Sequence, residues 1–89
     1  MLTLIEVRVP KMGLDTTEVA LAKWLVRTGD RVKKGVPLLE IESEKAALQV
    51  ESEVDGTIAK ICQPEGSTVP VGEVVCLVRE TQSDEGKNE

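Results

Sequence analysis

The 89-residue chain is predicted to fold as an all-β sandwich or barrel built from two similar halves. Turn-forming glycines and prolines recur at short intervals, and the apolar stretches between them are brief and rich in Val, Leu and Ile, which is typical of many short strands. No apolar stripe follows the 3.6-residue period over a useful length, so no helix is expected. The chain also matches itself after a shift of 37 positions, which indicates two copies of one supersecondary unit.

The first predicted strand, Leu4–Val9, carries apolar residues at alternate positions. A loop at residues 10–17 follows it. The second copy has no counterpart to this loop, because residues 54–56 lead directly into its next strand. An extra loop in one half of a symmetric scaffold is a candidate functional element, although it could also be a connector that seals one end of the sandwich.

Each copy of the repeat has the same order of features between residues 22 and 42 and again after the shift. An apolar strand leads to a turn that ends in glycine, an inward-facing valine follows, and a second glycine turn precedes a closing strand. The equivalent parts are strands 19–26 and 57–62, Gly29 and Gly66, Val32 and Val69, Gly35 and Gly72, and strands 38–42 and 74–79.

One domain is expected at this length. Residues 80–89 contain no apolar side chain large enough to anchor them, so the domain is predicted to span residues 1–79, with residues 80–89 as a disordered tail or the start of a linker. The core must be aliphatic because the chain has one Trp and neither Phe nor Tyr. A folding unit of this size leaves little room for an internal substrate cavity.

The composition excludes several classes of function. Histidine is absent, which removes the commonest general base and metal ligand, and no metal site is expected. A formal net charge of −5 argues against nucleic acids and anionic membranes as partners. No apolar run is long enough for a membrane span, and no secretory signal is visible. Cys62 and Cys76 form neither a disulfide framework nor a zinc motif. They are expected to be small, buried or half-buried apolar residues in a reducing compartment, with a redox role as the alternative.

The sharpest local pattern is a β-hairpin over residues 38–51, folded around Ser43–Ala46. Its apolar residues fall on one face and its charged residues on the other. This arrangement places Lys45 at the third position of the turn, pointing into water. The predicted register pairs Ile41 with Leu48, Leu39 with Val50, and Glu40 with Gln49.

Lys45 is the only cation among six carboxylates between residues 40 and 55. An exposed ammonium near carboxylates stays protonated, whereas a lysine nucleophile needs desolvation or a neighbouring cation to lose its proton. Lys45 is therefore not expected to be catalytic by itself, and any reaction there needs activation by another enzyme. Position alone favours an ordinary solvated turn lysine.

Residues 40–46, Glu-Ile-Glu-Ser-Glu-Lys-Ala, resemble the lipoylation motif E-T-D-K-A of the lipoyl domains in dihydrolipoyl acyltransferases. Gly56 follows the lysine by eleven residues, as it does in that family. The resemblance covers about residues 5–79, and only Ser43 and Glu44 depart from the usual motif. The other matching runs are Val9–Gly13, Ala22–Val26, Val32–Gly35, Gly56–Ile61, Pro64–Gly66 and Val69–Gly72.

The resemblance implies a flattened barrel, or barrel-sandwich hybrid, of two four-stranded antiparallel sheets related by a pseudo-two-fold axis. It implies lipoic acid as a covalent cofactor on Lys45, with the lysine turn far from both termini. The loop and the acidic turn are the expected recognition elements. Their candidate residues are Met12, Gly13, Leu14, Asp15, Glu42, Glu44 and Ala46, and the expected turn glycines are Gly29, Gly35, Gly56, Gly66 and Gly72.

The resemblance also implies the partners. These are a lipoate ligase or octanoyl transferase, a thiamin-dependent 2-oxo-acid decarboxylase, a dihydrolipoyl acyltransferase core and a dihydrolipoamide dehydrogenase. The chain itself is expected to be a non-catalytic, monomeric carrier. Its expected location is the bacterial or archaeal cytoplasm, or the mitochondrial matrix if a transit peptide has been removed. Pyruvate, 2-oxoglutarate, branched-chain and acetoin-type complexes are all compatible with the sequence.

Two other functions stay open on the sequence. A biotin carrier shares the fold and the lysine-to-glycine spacing, but its lysine is flanked by Met, whereas Glu44 and Ala46 flank it here. An unmodified structural or adaptor sandwich would make Lys45 incidental. An autonomous enzyme is disfavoured because the chain has neither a nucleophile–base pair nor a phosphate-binding glycine loop.

Overall fold

The structure is a computed structural model that describes residues 3–13, 15–44 and 46–81. Its regular elements are eight short strands. Among these residues there is no helix, and therefore none that is long and apolar enough to cross a membrane. The strands are β1 (Thr3–Arg8), β2 (Glu18–Trp24), β3 (Arg31–Val32), β4 (Pro37–Glu42), β5 (Ala47–Glu51), β6 (Gly56–Ile61), β7 (Thr68–Pro70) and β8 (Val74–Glu80).

The strands form two four-stranded antiparallel sheets, in the orders β1-β8-β6-β3 and β5-β4-β2-β7. Exchanging the first four strands in the chain with the last four converts one order into the other, which confirms the pseudo-two-fold arrangement. Each sheet takes two strands from each half of the chain. Neither half can therefore complete a sheet alone, and the two halves must fold together.

The internal repeat extends to individual backbone hydrogen bonds. The amide of Gly29 donates to the carbonyl of Ile58 at 2.8 Å. Its equivalent, the amide of Gly66, donates to the carbonyl of Leu21 at 2.7 Å. In each case the first glycine turn of one half is bonded to a central strand of the other half. The repeat seen in the sequence therefore reflects a repeated and reciprocal contact between the halves.

The interior between the sheets is aliphatic, as the composition predicts. The two valines expected to face inward, Val32 and Val69, are 5% and 3% exposed. Trp24 is half-buried, and its indole Nε1 donates to the carbonyl oxygen of Gln63 at 2.9 Å. The largest fully buried side chains are Leu21, Leu38, Leu39, Ile41 and Ile58.

Four of the five expected turn glycines have the left-handed backbone that favours this residue. Gly29, Gly35, Gly66 and Gly72 have φ values of 95°, 94°, 87° and 90°. The prediction was wrong for Gly56, which does not have a positive φ and is the buried first residue of β6. There, the neighbouring strand β8 passes so close that no side chain fits.

The ordered chain continues slightly past the boundary expected at residue 79. Strand β8 includes Glu80, and the amide of Thr81 donates to the carbonyl of Asp55 at 2.8 Å. This bond attaches the end of β8 to the segment that precedes β6. Residues 82–89, which make up most of the predicted tail, lie outside the described residues.

Both cysteines are free thiols. Cys76 is fully buried in β8, and Cys62 is half-buried at the end of β6. Burial raises the pKa of the Cys76 thiol to about 12, and the neighbouring Cys62 adds to the increase. Cys76 is therefore an unreactive thiol that fills apolar space, as the sequence predicts.

Candidate functional site

The hairpin formed by β4 and β5 has the register predicted from the sequence. Ile41 pairs with Leu48, and Glu40 pairs with Gln49, whose Nε2 donates to Glu40 Oε2 at 3.2 Å. The third predicted pair, between Leu39 and Val50, is also present. The alternation of apolar and charged residues was sufficient to set this register, because a slip by one residue would turn the leucines and isoleucine into water.

The inner face of the hairpin is buried unevenly. Leu39 and Ile41 on β4 are 0% exposed, and Val50 on β5 is 8% exposed. Leu48 faces the same side but is 36% exposed. The difference follows from topology, because β4 lies inside its sheet whereas β5 is an edge strand. The hairpin is thus anchored in the core mainly through β4.

A short turn closes the hairpin. The amide of Ser43 donates to the carbonyl of Ala46 at 2.8 Å, and the Ser43 hydroxyl lies 3.4 Å from the same oxygen. Glu44 and Lys45 occupy the two positions between these residues. Lys45 itself, the predicted attachment residue, lies outside the described residues. The backbone bond closes the turn, and the Ser43 hydroxyl adds a longer contact to the same oxygen.

The loop between β1 and β2 lies against this turn, as proposed for a shared recognition surface. Asp15, Thr16 and Thr17 from the loop and Glu42 and Glu44 from the hairpin line one open groove of about 560 Å³. The sandwich therefore brings three candidate recognition residues together: Asp15, Glu42 and Glu44.

The remaining candidates have different positions. Met12 is half-buried and packs against the core, which suits a structural role in holding the loop. The Gly13 carbonyl accepts a hydrogen bond from the Thr16 amide at 3.3 Å, and Gly13 does not line the groove. Ala46 is exposed beside the turn. Leu14 lies outside the described residues.

Sequence reasoning missed four of the groove residues, and two of these four are polar. Glu18 at the start of β2 and Thr68 at the start of β7 both line the groove. Thr68 comes from the second half of the chain and reaches the site because β7 pairs with β2, where it lies opposite Ala20. Only the cross-half strand pairing could have revealed it, and no local motif marks that pairing.

The groove is acidic. Among its described lining residues there are four carboxylates, from Asp15, Glu18, Glu42 and Glu44, and no cation. A positively charged partner surface would complement this groove, whereas a negatively charged one would be repelled. No group of three or more metal-ligating side chains is found within the described part of the chain.

The site suits a covalently carried group better than a bound one. The groove is open and shallow, and the residues that flank Lys45 in sequence, Glu44 and Ala46, are both exposed. An amide-linked arm needs an accessible lysine on a fixed turn and no enclosing pocket. The closed Ser43–Ala46 turn lies on a core-anchored hairpin, and its described residues fit a covalently carried group such as lipoic acid.

Comparison with known proteins agrees with this geometry. A family model described as "Biotin-requiring enzyme" matches residues 5–78. The lipoyl domain of the 2-oxoglutarate dehydrogenase complex from Azotobacter vinelandii is similar in structure, with a TM-score of 0.71 and 29% identity over 92% of this chain and 99% of that one.

The most similar curated relatives include acyltransferase components of three 2-oxo acid dehydrogenase complexes. The acetyltransferase component of the pyruvate dehydrogenase complex of Zymomonas mobilis is 47% identical over 90% of this chain. The succinyltransferase component of the 2-oxoglutarate dehydrogenase complex of Rickettsia felis is 43% identical over 85% of it. The lipoamide acyltransferase component of the branched-chain complex of Bacillus subtilis is 37% identical over 82% of it.

The chain spans less than a fifth of the length of these three relatives, 18%, 19% and 17% respectively. The similarity therefore covers one domain of each larger protein. The matched family model, the lipoyl-domain fold and the hairpin register all describe the same region of this chain. The chain belongs to the biotin/lipoyl family, as a lipoyl carrier domain of the kind found in acyltransferase components of 2-oxo acid dehydrogenase complexes.

Proposed function

We propose that Lys45 is the lipoylated residue and that the domain carries acyl groups and reducing equivalents between the active sites of such a complex. The observation that carries this proposal is the core-anchored β4–β5 hairpin, whose closed turn contains Lys45 between Glu44 and Ala46. A rigid hairpin fixes the root of a flexible arm, and the arm then sweeps a defined region.

Attachment requires an external enzyme. A lipoate ligase or octanoyl transferase removes a proton from the Lys45 ammonium, and the amine attacks the carbonyl carbon of an activated acyl donor. The amide bond forms as the bond to the donor's leaving group breaks, and that group leaves with the electron pair. A lysine amine becomes nucleophilic only when its surroundings favour the neutral form, so the enzyme's own active site must supply that environment.

Once attached, the dithiolane supplies acyl-carrying and redox chemistry, and the protein supplies delivery. The proposed partners are a thiamin-dependent 2-oxo-acid decarboxylase, a dihydrolipoyl acyltransferase core and a dihydrolipoamide dehydrogenase. The domain has no catalytic role in this proposal. A tether beyond the domain would keep it near these partners at an effective concentration on the order of millimolar, so that each encounter becomes intramolecular.

Recognition of the domain is proposed to occur at the acidic groove. Glu42 and Glu44 project from the hairpin beside Asp15 of the loop, so an enzyme that approaches the lysine meets both elements at once. Complementary charge mainly accelerates encounter and selects among partners. The partner surface is therefore expected to carry lysine or arginine side chains.

The variant Glu44→Lys tests this recognition. Reversing a charge beside the lysine should slow loading by about tenfold, equivalent to about 1.4 kcal/mol. Initial loading rates measured by intact-protein mass spectrometry at low and high salt would check it, with Glu53→Lys as the matched control. Glu53 is exposed and does not line the groove. Equal rates for the two variants would contradict a role for the groove.

The attachment proposal is tested by incubating the 89-residue chain with a lipoate ligase and lipoate, or with a biotin ligase and biotin. We expect the mass of one lipoyl group to be added, and peptide mapping to place it on Lys45. Addition of biotin instead would assign the chain to the biotin carriers. No addition with either enzyme, for a chain that still folds, would favour an unmodified structural module.

A further inference from the structure

The two outer faces of the sandwich carry opposite charge. The outward residues of β1-β8-β6-β3, here termed the basic face, include Leu4, Leu77, Arg8, Arg31, Lys60 and Arg79. The outward residues of β5-β4-β2-β7, the acidic face, include Ala20, Ala47, Glu18, Glu40, Glu42 and Glu51. Within these described strands, Glu6 is the only carboxylate on the basic face and Lys23 the only cation on the acidic face.

The charge is inverted at one position that the pseudo-two-fold axis makes equivalent on the two faces. Glu42 and Arg79 are related by the 37-residue repeat, and both lie opposite edge-strand residues. Those edge-strand residues are also equivalent: Ala47 pairs with Glu42, and Leu4 pairs with Arg79. At this position one face presents an acid and a small methyl group, whereas the other presents a cation and a leucine. Lys23 and Lys60 are also related by the repeat, and there both faces present a cation.

The cations of the basic face are largely free. Arg8 Nη2 lies 2.6 Å from Glu6 Oε1, and this is the only ion pair that the structure shows among its described residues. Arg31, Lys60 and Arg79 are exposed and belong to no ion pair there. Leu4 is 52% exposed, and Leu77, two residues before Arg79 on the same face, is half-buried.

We propose that the basic face of one copy of this domain docks on the acidic face of a second copy. The leucines of the first face would lie over the alanines of the second, and the three free cations would face the carboxylates. Two sheets packed face to face lie about 10 Å apart, close enough for these side chains to interdigitate. A second copy is the favoured occupant because the complementary surface, in charge and in strand layout, is on the chain itself.

The contact is heterologous, so each docked copy leaves one acidic face and one basic face free. One sheet face of a small domain is at or below the size of weak, transient interfaces, about 1,200 Å² in total. Docking is therefore expected only when copies are concentrated to about millimolar, as tethered copies are, and the domain stays monomeric in dilute solution. This inference does not depend on modification of Lys45.

The test begins with sedimentation of the 89-residue chain from about 20 μM to about 2 mM, the range that spans the proposed tethered concentration. At low salt the weight-average mass should rise with concentration. At about 1 M salt, where the screening length is about 3 Å, the mass should return to that of the monomer. A mass that stays monomeric at low salt, or association that salt does not weaken, would overturn the proposal.

A mixing experiment then identifies the faces. Arg31→Gln/Arg79→Gln removes two cations of the basic face, and Glu40→Gln/Glu51→Gln removes two carboxylates of the acidic face. Each variant alone should be monomeric, whereas an equimolar mixture should form one-to-one dimers and stop there, because each retains one intact face. A monomeric mixture, or self-association of either variant, would refute docking between these faces.

Two controls separate this result from other causes. Lys33→Gln/Lys34→Gln changes the net charge by the same amount as the basic-face variant, but at the exposed turn before β4, and should associate like the unmodified sequence. Far-ultraviolet circular dichroism and the melting temperature of each variant confirm folding. Because Glu40 and Glu51 do not line the lysine groove, both face variants should still accept the lipoyl group, so failure of docking is distinguishable from failure of the carrier proposal.

Discussion

Replacing Gly56 by valine is expected to lower the free energy of unfolding by about 4 kcal/mol, a large part of the 5–15 kcal/mol that holds a typical domain together. A Cβ atom at this position would overlap the backbone carbonyl of Arg79 and lie 2.9 Å from Val78 Cγ1. Neither neighbour can move freely, because β8 is hydrogen-bonded between β1 and β6. Relief requires separation of β6 from β8, which are the two central strands of their sheet.

The measurement is thermal unfolding followed by circular dichroism, with Gly56→Ala and Gly13→Ala as companions. A shift of about 20 °C or more is expected for valine. Alanine alone should cost about 2 kcal/mol, since the Cβ already overlaps the backbone. Gly13→Ala is the matched control, because its Cβ would lie 3.6 Å from Thr16 Oγ1, an ordinary contact. A melting temperature for Gly56→Val equal to that of the control would contradict the close approach of the two strands.

This glycine shows where sequence reasoning fails. The family motif marked Gly56 as structurally important, but a turn was the wrong reason. Positive-φ glycines can be recognised from the residues beside them in the sequence, because Gly29 and Gly66 end polar turns between apolar strands. A glycine that is required because another strand lies against it cannot be recognised from the residues beside it in the sequence. Its cause lies in β8, more than twenty residues further along the chain.

The candidate site likewise combines features that follow from local sequence with features that depend on distant strands. The β4–β5 register was predictable because alternating burial and a short turn are local properties, and Glu40 and Gln49 lie opposite each other as expected. The internal repeat further predicted two related halves. The exchange of strands between the halves was not predictable from composition or spacing. Both copies contain equivalent strands, and no local sequence pattern indicates whether a strand pairs within its own half or with the other half.

That exchange is what completes the groove. Thr68 is brought beside Glu42 and Glu44 only because β7 joins the sheet that contains the hairpin. The loop carrying Asp15 was predicted as a candidate functional element from the asymmetry between the halves, and the structure places it against the turn. Both candidate elements were therefore visible in the sequence, whereas the strand that joins them was visible only in the fold.

The variant Lys45→Arg is expected to abolish loading while leaving stability almost unchanged. Arginine keeps the positive charge and a long side chain, but its guanidinium stays protonated and cannot act as the amine nucleophile. The turn is closed by the backbone bond between Ser43 and Ala46, and the hairpin is anchored by Leu39 and Ile41. A substitution that removes none of these contacts typically changes stability by no more than about 0.5 kcal/mol.

Loading is followed by intact-protein mass spectrometry with a lipoate ligase, and folding by the melting temperature. Lys60→Arg, on the basic face, is the matched control and should load fully, because it makes the same exchange away from the turn. Residual loading of Lys45→Arg at another lysine would show that the ligase selects any accessible lysine and does not recognise the hairpin. Complete loss with an unchanged melting temperature would mean that the hairpin holds one amine where an enzyme can reach it, and that no other lysine on the sandwich substitutes for it.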